Sequence, residues 1–200
     1  MTGADAYRTV AGRGESRFVV QGSEFLGHVD RAETVADAEA FVDAIRAEYD
    51  DATHNVPAYR VRADPLREYS NDDGEPSGSA GKPMLNVLQG EDVENVVAVV
   101  TRYYGGTNLG VGGLVRAYSR AIKEALADAE TIEERPHERL HLSLEYDDSG
   151  TVRGILESED LEFEADYGES VAFDVRVPVD DAEALKDRLR SATSGRVGIE

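Results

Sequence analysis

The sequence predicts a mixed α/β protein of the α+β type that is divided into two domains. Segments whose apolar residues alternate, as in strands, are interspersed with segments whose apolar residues recur at helical spacing. After residues 131–136, TIEERP, the composition turns acidic and the pattern starts again. We therefore expect a first domain over residues 1–130, a linker over 131–136 and a second domain over 137–200.

The first domain is expected to begin with two strands and a helix. Residues 17–20 and 24–29 are strand-like and are separated by Gly22, which predicts an antiparallel pair. Thr34 is the expected N-cap of a helix over residues 35–49, whose apolar positions recur at helical spacing.

A further strand and a polar turn follow. Residues 54–62 predict a strand, in which Pro57 indicates an edge position or an irregular start. The polar residues 71–83 predict a turn, and Pro83 suits the first turn of a short helix that ends near Leu88.

The next segment predicts a buried strand, a glycine-rich loop and a long helix. Residues 96–103 contain an unbroken apolar run and are expected to form the central strand of the sheet. The helix is expected to open at Gly112 or Gly113. Such a loop and helix at the carboxyl end of a buried strand commonly bind a phosphate or another anion.

The second domain is expected to alternate strands and helices in the order βαββαβ, which predicts a ferredoxin-like fold. Asp180 is the expected N-cap of its second helix. The expected strands are 140–144, 161–167, 170–179 and 196–199, and the expected helices are 149–158 and 180–194.

The composition excludes several classes of protein. The chain has no cysteine, which excludes disulfides and thiolate chemistry, and no apolar run or basic leader that would indicate a membrane span or a secretory signal. We therefore expect a cytoplasmic protein without membrane partners. The net charge of −20, with lysine only at positions 82, 123 and 186, favours a halophilic protein over a merely acidic one.

The charge is distributed unevenly along the chain. Residues 54–123 hold eight basic and eight acidic residues and net zero, whereas residues 1–53 (five against eleven) net −6 and residues 124–200 (eight against twenty-two) net −14. A surface that meets an anion would need this balance. A segment that is mostly buried core would also lack excess acid.

The motif GGTNLGVGGL, residues 105–114, is the strongest candidate for phosphate binding. Its glycines allow backbone N–H groups to approach an anion at the start of a helix. It matches neither the P-loop nor the dinucleotide-binding pattern. A tight turn that only packs the strand against the helix explains the spacing equally well.

The motif NDDGEPSGSAGKP, residues 71–83, contains acids and hydroxyls but no complete catalytic pattern. Asp72, Asp73 and Glu75 lack calcium-loop spacing, so they are expected to hydrogen-bond the turn, and no metal or other cofactor is predicted. Ser77 and Ser79 near Lys82 suggest a nucleophile pair only weakly, because no base is positioned beside either serine.

Other polar residues near these motifs could bind a ligand or simply support the fold. His54 is either an acid–base group or a structural histidine. The arginines could hold phosphate or solvate a helix face, and the tyrosines could stack on bases or pack in the core. These are Arg102, Arg116, Arg120, Tyr59, Tyr103, Tyr104 and Tyr118. The predicted binding set is His54, Asp73, Glu75, Ser77, Lys82, Arg102, Tyr103, Gly105, Gly106, Gly112, Gly113, Arg116 and Tyr118.

Over about residues 15–125 the sequence resembles the YigZ/IMPACT family. The resemblance rests on Ser16-Arg17-Phe18, on His54 with its flanks, on the whole 71–83 motif, and on the run from Thr101 to Tyr118. Asn71 stands where serine is expected and Tyr104 where phenylalanine is usual.

The resemblance implies a first domain like ribosomal protein S5 domain 2 and a ferredoxin-like second domain, a pair similar to the last domains of the translocating elongation factor. Its eukaryotic relatives act in translational control, through a ribosome-associated activator of the starvation-responsive kinase. For this chain we expect a non-enzymatic regulator of translation or stress response that binds RNA, the ribosome or a translation-associated protein. An enzyme for a small phosphorylated or anionic substrate and a protein–protein adaptor remain alternatives.

Overall fold

A computed structural model describes residues 6–63, 65–168 and 170–200 of the chain. These residues form two compact units, Tyr7–Glu134 and Arg135–Glu200. Among the helices in these ranges, none is both long enough and apolar enough to cross a membrane. The two-domain α+β architecture that the sequence predicts is therefore confirmed.

The first unit contains a five-stranded antiparallel sheet, a separate strand pair and three helices. The sheet order is β2-β3-β6-β4-β5, and β1 pairs with β7. The strands are β1 (Tyr7–Val10), β2 (Gly14–Val20), β3 (Ser23–Arg31), β4 (His54–Val61), β5 (Arg67–Ser70), β6 (Val96–Tyr103) and β7 (Thr131–Glu134). The helices are α1 (Val35–Glu48), α2 (Gly81–Gly90) and α3 (Gly110–Ala129).

Strand β6 is central, as the apolar run predicts, because its side chains are buried on both faces of the sheet. Val96, Ala98 and Val100 pack in the core that α2 and α3 cover. Val97 and Val99 belong to the core on the α1 side. The antiparallel pair predicted for the first two strands is also confirmed, as β2 and β3.

Two expectations about chain segments differ from the structure. Strand β4 lies between β6 and β5, so the edge position indicated by Pro57 is wrong. The proline is tolerated because the pairing of β4 with β5 begins only at Ala58, and the Pro57 carbonyl still accepts a bond from the Asn71 N–H at 3.2 Å. Residues 131–134, expected in a linker, form β7 and pair with β1.

Helix α1 has the predicted start, whereas α3 starts earlier than expected. Thr34 caps α1 in a capping box: its hydroxyl accepts from the Asp37 N–H, and the Asp37 carboxylate accepts from the Thr34 N–H. Helix α3 begins at Gly110, so Gly112 and Gly113 lie within its first turn and do not open it.

The second unit has the predicted ferredoxin-like order. Its sheet order is β11-β8-β10-β9, which places the fourth, first, third and second strands of the unit side by side, all antiparallel. Its elements are β8 (His137–Leu144), α4 (Tyr146–Ser158), β9 (Glu162–Tyr167), β10 (Val171–Pro178), α5 (Val179–Ala192) and β11 (Gly198–Ile199). Helix α5 has Pro178 at its N-cap, so Asp180 lies in the first turn and is not the cap.

Candidate functional site

The loop over residues 71–80 is organised by the carboxylate of Asp72. One of its oxygens accepts from the N–H groups of Ala80 (3.1 Å) and Gly81 (2.9 Å), and the other from Gly78 (2.8 Å). Ala80, the N-cap residue of α2, has no side chain that can fill this role. Asp72 therefore stabilises the start of α2 from a distance in sequence, as an acid in a turn is expected to do.

Asp73 fixes the orientation of His54. Asp73 and Gly74 both have positive φ angles, 47° and 86°, which turn the chain sharply back towards β4. There the Asp73 carboxylate accepts from the Asn55 N–H at 2.7 Å, and the Asp73 carbonyl lies 2.6 Å from His54 Nδ1. Because a carbonyl only accepts, Nδ1 carries the proton, and Nε2 of a neutral ring is left as an acceptor.

Glu75, Arg102 and Tyr118 form a buried ionic network at the end of β6. The Glu75 side chain is 3% exposed and accepts from Arg102 Nη1 at 2.6 Å and from the Tyr118 hydroxyl at 2.7 Å. Arg102 also donates to Ser23 Oγ at 3.2 Å, and its guanidinium lies 5.5 Å from the centre of the Phe25 ring. Burial and the bond to Glu75 raise the pKa of Tyr118 well above its usual range, so this hydroxyl acts as a donor.

This closed network changes the role of three predicted binding residues. Arg102 is buried and already paired with a carboxylate, so it is not presented to a phosphate in this arrangement. The Tyr118 ring is fully buried and packs edge-on against Phe25 at 5.4 Å, so it does not offer a surface for a base. His54 lies at the margin of the network, with Nε2 at 3.8 Å from a Glu75 oxygen.

The second glycine-rich loop, residues 104–109, is anchored to this network but stays exposed. The Gly105 N–H donates to Ser23 Oγ at 3.1 Å, and a Cβ at Gly105 would lie 1.8 Å from the Gly22 carbonyl carbon. Only glycine fits this close approach. Gly106 has φ +83° and open space around it, and the Tyr104 side chain is 47% exposed.

The start of α3 shows only part of the anion-binding arrangement that the sequence suggests. Gly113 packs against the Leu109 side chain, where an added Cβ would meet Leu109 Cβ at 2.9 Å. Gly112 is exposed and lies beside the Arg116 guanidinium, 3.5 Å from the position of an added Cβ. Arg116 is exposed and makes no hydrogen bond or ion pair with the residues that the structure describes.

The remaining candidates are spread over the surface and the core. Tyr103 donates to Asp51 at 2.7 Å, and this bond raises the pKa of Tyr103 to about 12. Tyr59 is buried and stacks on Tyr69. Arg120 is paired with Glu124 at 2.7 Å.

The two serines and the lysine of the 71–83 motif do not form a catalytic arrangement. Ser77 and Lys82 are exposed, whereas Ser79 is buried and donates to the Pro76 carbonyl at 2.6 Å. Within the described ranges there is no group of three or more His, Cys, Asp or Glu side chains that could hold a metal ion.

Two polar residues that complete the site were missed as candidates. Ser23 joins Arg102 to the 104–109 loop, and buried Asn55 accepts from the Thr101 hydroxyl at 2.7 Å. Asn55 carries a weak signal in the sequence, since it is a polar residue beside His54 at the start of a strand whose next residues are apolar. Ser23 carries none, because a serine after a glycine is ordinary in a hairpin.

Two family models match the chain. The Impact N-terminal domain matches residues 21–126, and a domain of unknown function, DUF1949, matches residues 142–196. The IMPACT family member YvyE of Bacillus subtilis is 37% identical over 196 residues, which covers 98% of this chain and 90% of that protein.

The chain belongs to the IMPACT family.

Other members agree with this assignment over nearly the whole chain. The IMPACT family member YigZ of Escherichia coli is 36% identical over 188 residues, covering 92% of this chain and 89% of that protein. A crystal structure of a hypothetical protein matches with a TM-score of 0.70 and 32% identity, covering 98% of this chain and 96% of that one. The two-domain translational regulator Yih1 matches with 28% identity over 61% of this chain and 46% of that one, and its TM-score of 0.39 carries no structural argument.

The part matched by the Impact N-terminal domain contains both glycine-rich loops and every residue of the buried network. The resemblance that the two motifs carry is therefore confirmed at the level of the family.

Proposed function

We propose that this IMPACT family protein is a non-enzymatic regulator of translation or stress response that binds RNA or the ribosome through the glycine-rich surface of its first unit. We define that surface as the 104–109 loop, the Asp73–Gly74 turn and the first turn of α3. The family resemblance supports the cellular process, since its eukaryotic relatives act in translational control.

A binding role is supported by the contrast between the buried network and the exposed 104–109 loop that is anchored to it. One Glu75 oxygen accepts from both Arg102 and the Tyr118 hydroxyl, and Arg102 also donates to Ser23. The loop that they anchor is exposed and carries an aromatic side chain, Tyr104. A rigid support beneath an exposed glycine-rich loop suits recognition, because little conformational entropy is lost on binding.

The charges on this surface favour local contacts over general affinity for nucleic acid. Arg116 is unpaired within the described residues, and no acidic residue lies in the first turn of α3. The net charge of −20 opposes non-specific attraction to phosphates, which is the main sequence-independent term in nucleic-acid binding. Binding is therefore expected to depend on a few residues, with Arg116 and Tyr104 foremost.

Sedimentation of ribosomes at the cell's own salt concentration, combined with RNA crosslinking, tests this proposal. We expect the protein in a ribosomal fraction, and we expect Tyr104→Ala to weaken binding on the order of tenfold, since a stacked base contributes about 1–3 kcal/mol. Tyr69→Ala is the matched control, because Tyr69 is a comparably exposed tyrosine of the same unit on the edge strand β5. Absence of the protein from every ribosomal fraction, without crosslinked RNA, would refute the proposal, and recovery of a protein partner alone would favour an adaptor.

The orientation of His54 favours one second candidate, an enzyme for a small anionic substrate. Its Nδ1–H is held by the Asp73 carbonyl, which leaves Nε2 able to accept a proton, and the side chain is 18% exposed. In a screen of metabolite pools, His54→Ala should abolish a turnover that Tyr69→Ala retains. No turnover with any pool would count against this candidate.

A further inference from the structure

The lysines of this chain are few, and two of the three lie in one groove. The chain has 21 basic residues, of which only Lys82, Lys123 and Lys186 are lysine. Lys82 on α2 and Lys123 on α3 both line a groove of about 420 Å³ between these helices. Lys186 belongs to the second unit and is paired with Glu138 and Glu183, at 2.8 Å and 2.9 Å.

The side chains of the two groove lysines have no partner among the described residues. Neither side chain makes a hydrogen bond or ion pair with another residue in the described ranges. Glu124, which follows Lys123, is paired with Arg120. Glu91 lies at the groove but is not bonded to either lysine through its side chain. Apart from Lys186, the other Lys and Arg residues are all arginine, so two unpaired ammonium groups in one concave surface need a separate cause.

Stability of α2 is not that cause. Lys82 is the second residue of α2, where the positive end of the helix dipole disfavours a cation. The amide groups at this helix start are already bonded to Asp72. An anion could therefore be held beside the helix start by the lysine side chains, without replacing Asp72.

The other groove residues complement an anion that carries an organic part. Ser119 and Asn86 offer hydroxyl and amide donors, while Pro83 and Val115 supply apolar surface. The volume lies within the usual range of small-ligand sites, about 300–1,000 Å³. None of the lining residues belongs to the 104–109 loop.

We propose that the α2–α3 groove is a phosphate-binding site in which the ammonium groups of Lys82 and Lys123 hold the phosphate groups of the ligand. Ser119 and Asn86 donate hydrogen bonds to the ligand. The phosphates belong either to the backbone of a single-stranded RNA or to a small phosphorylated molecule, since both present the same chemistry. The site goes beyond the proposed function, because it uses a different set of residues and does not require the ribosome.

Titration of the full chain followed by ¹H–¹⁵N NMR tests this site with two probes, a 12-nucleotide oligouridylate and inorganic pyrophosphate. Saturable shifts of the Gly78, Ser119 and Lys123 amides with either probe are expected. A response to the oligonucleotide alone assigns the RNA backbone as the source, and a response to pyrophosphate assigns a small phosphorylated ligand. The Lys82→Gln/Lys123→Gln variant should weaken binding on the order of tenfold, and the salt slope for the RNA should fall by about 1.4, or about 0.7 per lost phosphate contact.

Two matched variants distinguish the loss of the two groove lysines from a general loss of positive charge. Lys186→Gln removes a lysine outside the groove and should bind normally. Lys82→Arg/Lys123→Arg keeps both charges and should bind more tightly than the double Gln variant but less tightly than the original chain, because the planar guanidinium differs in shape from the compact ammonium group. The dispersion of each spectrum reports whether the variant is folded. Absence of groove shifts in the folded protein with both probes, or equal weakening by Lys186→Gln, overturns the proposal whatever the outcome of the ribosome experiment.

Discussion

Glu75→Gln removes the negative charge that neutralises Arg102 inside the first unit. The Arg102 side chain is 5% exposed, and its Nε already lacks a hydrogen-bond partner. In the variant, the guanidinium would keep Ser23 and one amide oxygen as acceptors but would have no counter-ion. A buried charge without its partner is far more costly than the same charge at the surface, because water cannot replace the lost interaction.

The expected loss in the free energy of unfolding is about 3–5 kcal/mol, the usual cost of breaking a buried ion pair from one side. Glu124→Gln is the matched control. The Glu124–Arg120 pair has nearly the same separation, 2.7 Å against 2.6 Å for Glu75–Arg102, but its side chains are 44% and 52% exposed. Its loss should cost only about 0.3–0.5 kcal/mol, and less as salt increases.

Urea unfolding followed by circular dichroism measures both variants, and hydrogen exchange of the β6 peptide assigns the transition to the first unit. Glu75→Gln/Arg102→Met should recover part of the loss, since it removes both charges. If the two single Gln variants differ by less than about 1 kcal/mol, the Glu75–Arg102 pair does not have the energetic role that its burial implies.

Three further predictions follow from named contacts. Gly105→Ala should destabilise the first unit more than Gly106→Ala, because a Cβ at Gly105 would meet the Gly22 backbone at 1.8 Å. At Gly106 the alanine would meet no atom and would cost only about 1–2 kcal/mol for adopting a positive φ. Equal urea midpoints of the two variants would contradict this. Asp51→Asn should lower the pKa of Tyr103 from about 12 towards about 10, as followed by ¹³C NMR of the tyrosine rings, and an unchanged value would exclude the Asp51 bond as its cause. Because the folded pKa of Tyr103 is raised, the stability that this bond contributes is complete below about pH 10 and is lost between about pH 10 and 12. The melting temperature of the whole protein should rise as KCl shortens the Debye length from about 10 Å at 0.1 M to about 3 Å at 1 M, and a flat or falling profile would refute the halophilic interpretation.

Much of the fold was predictable because local patterns and tertiary packing agree. The apolar run of β6 predicts a strand buried on both faces, and the structure places helices against both sides of it. Thr34 predicts the start of α1 because a capping box is a purely local arrangement. The order of elements in the second unit predicts its ferredoxin-like sheet.

Predictions based on single residues were less successful when other residues determined the outcome. Pro57 indicates an edge position or an irregular start, but β5, which carries little apolar signal in its sequence REYS, pairs with β4 from Ala58 onwards, so β4 is not an edge strand. Gly112 and Gly113 resemble the opening of a helix, yet the chain already turns at Gly110, whose φ is +70°. In the first case a strand from a distant part of the chain decided the outcome, and in the second a glycine two residues earlier did.

Spacing and composition along the chain are enough to predict the family, the two-domain plan and the segments around which the site is built. Which side chains are accessible follows from the packing of the folded chain. Arg102 and Tyr118 resemble ligand-binding residues in the sequence, but they are turned inward onto Glu75. Lys82 and Lys123, 41 positions apart, line one groove because α2 and α3 pack side by side. Burial and the meeting of distant residues depend on the folded chain as a whole, so no local pattern could have specified them.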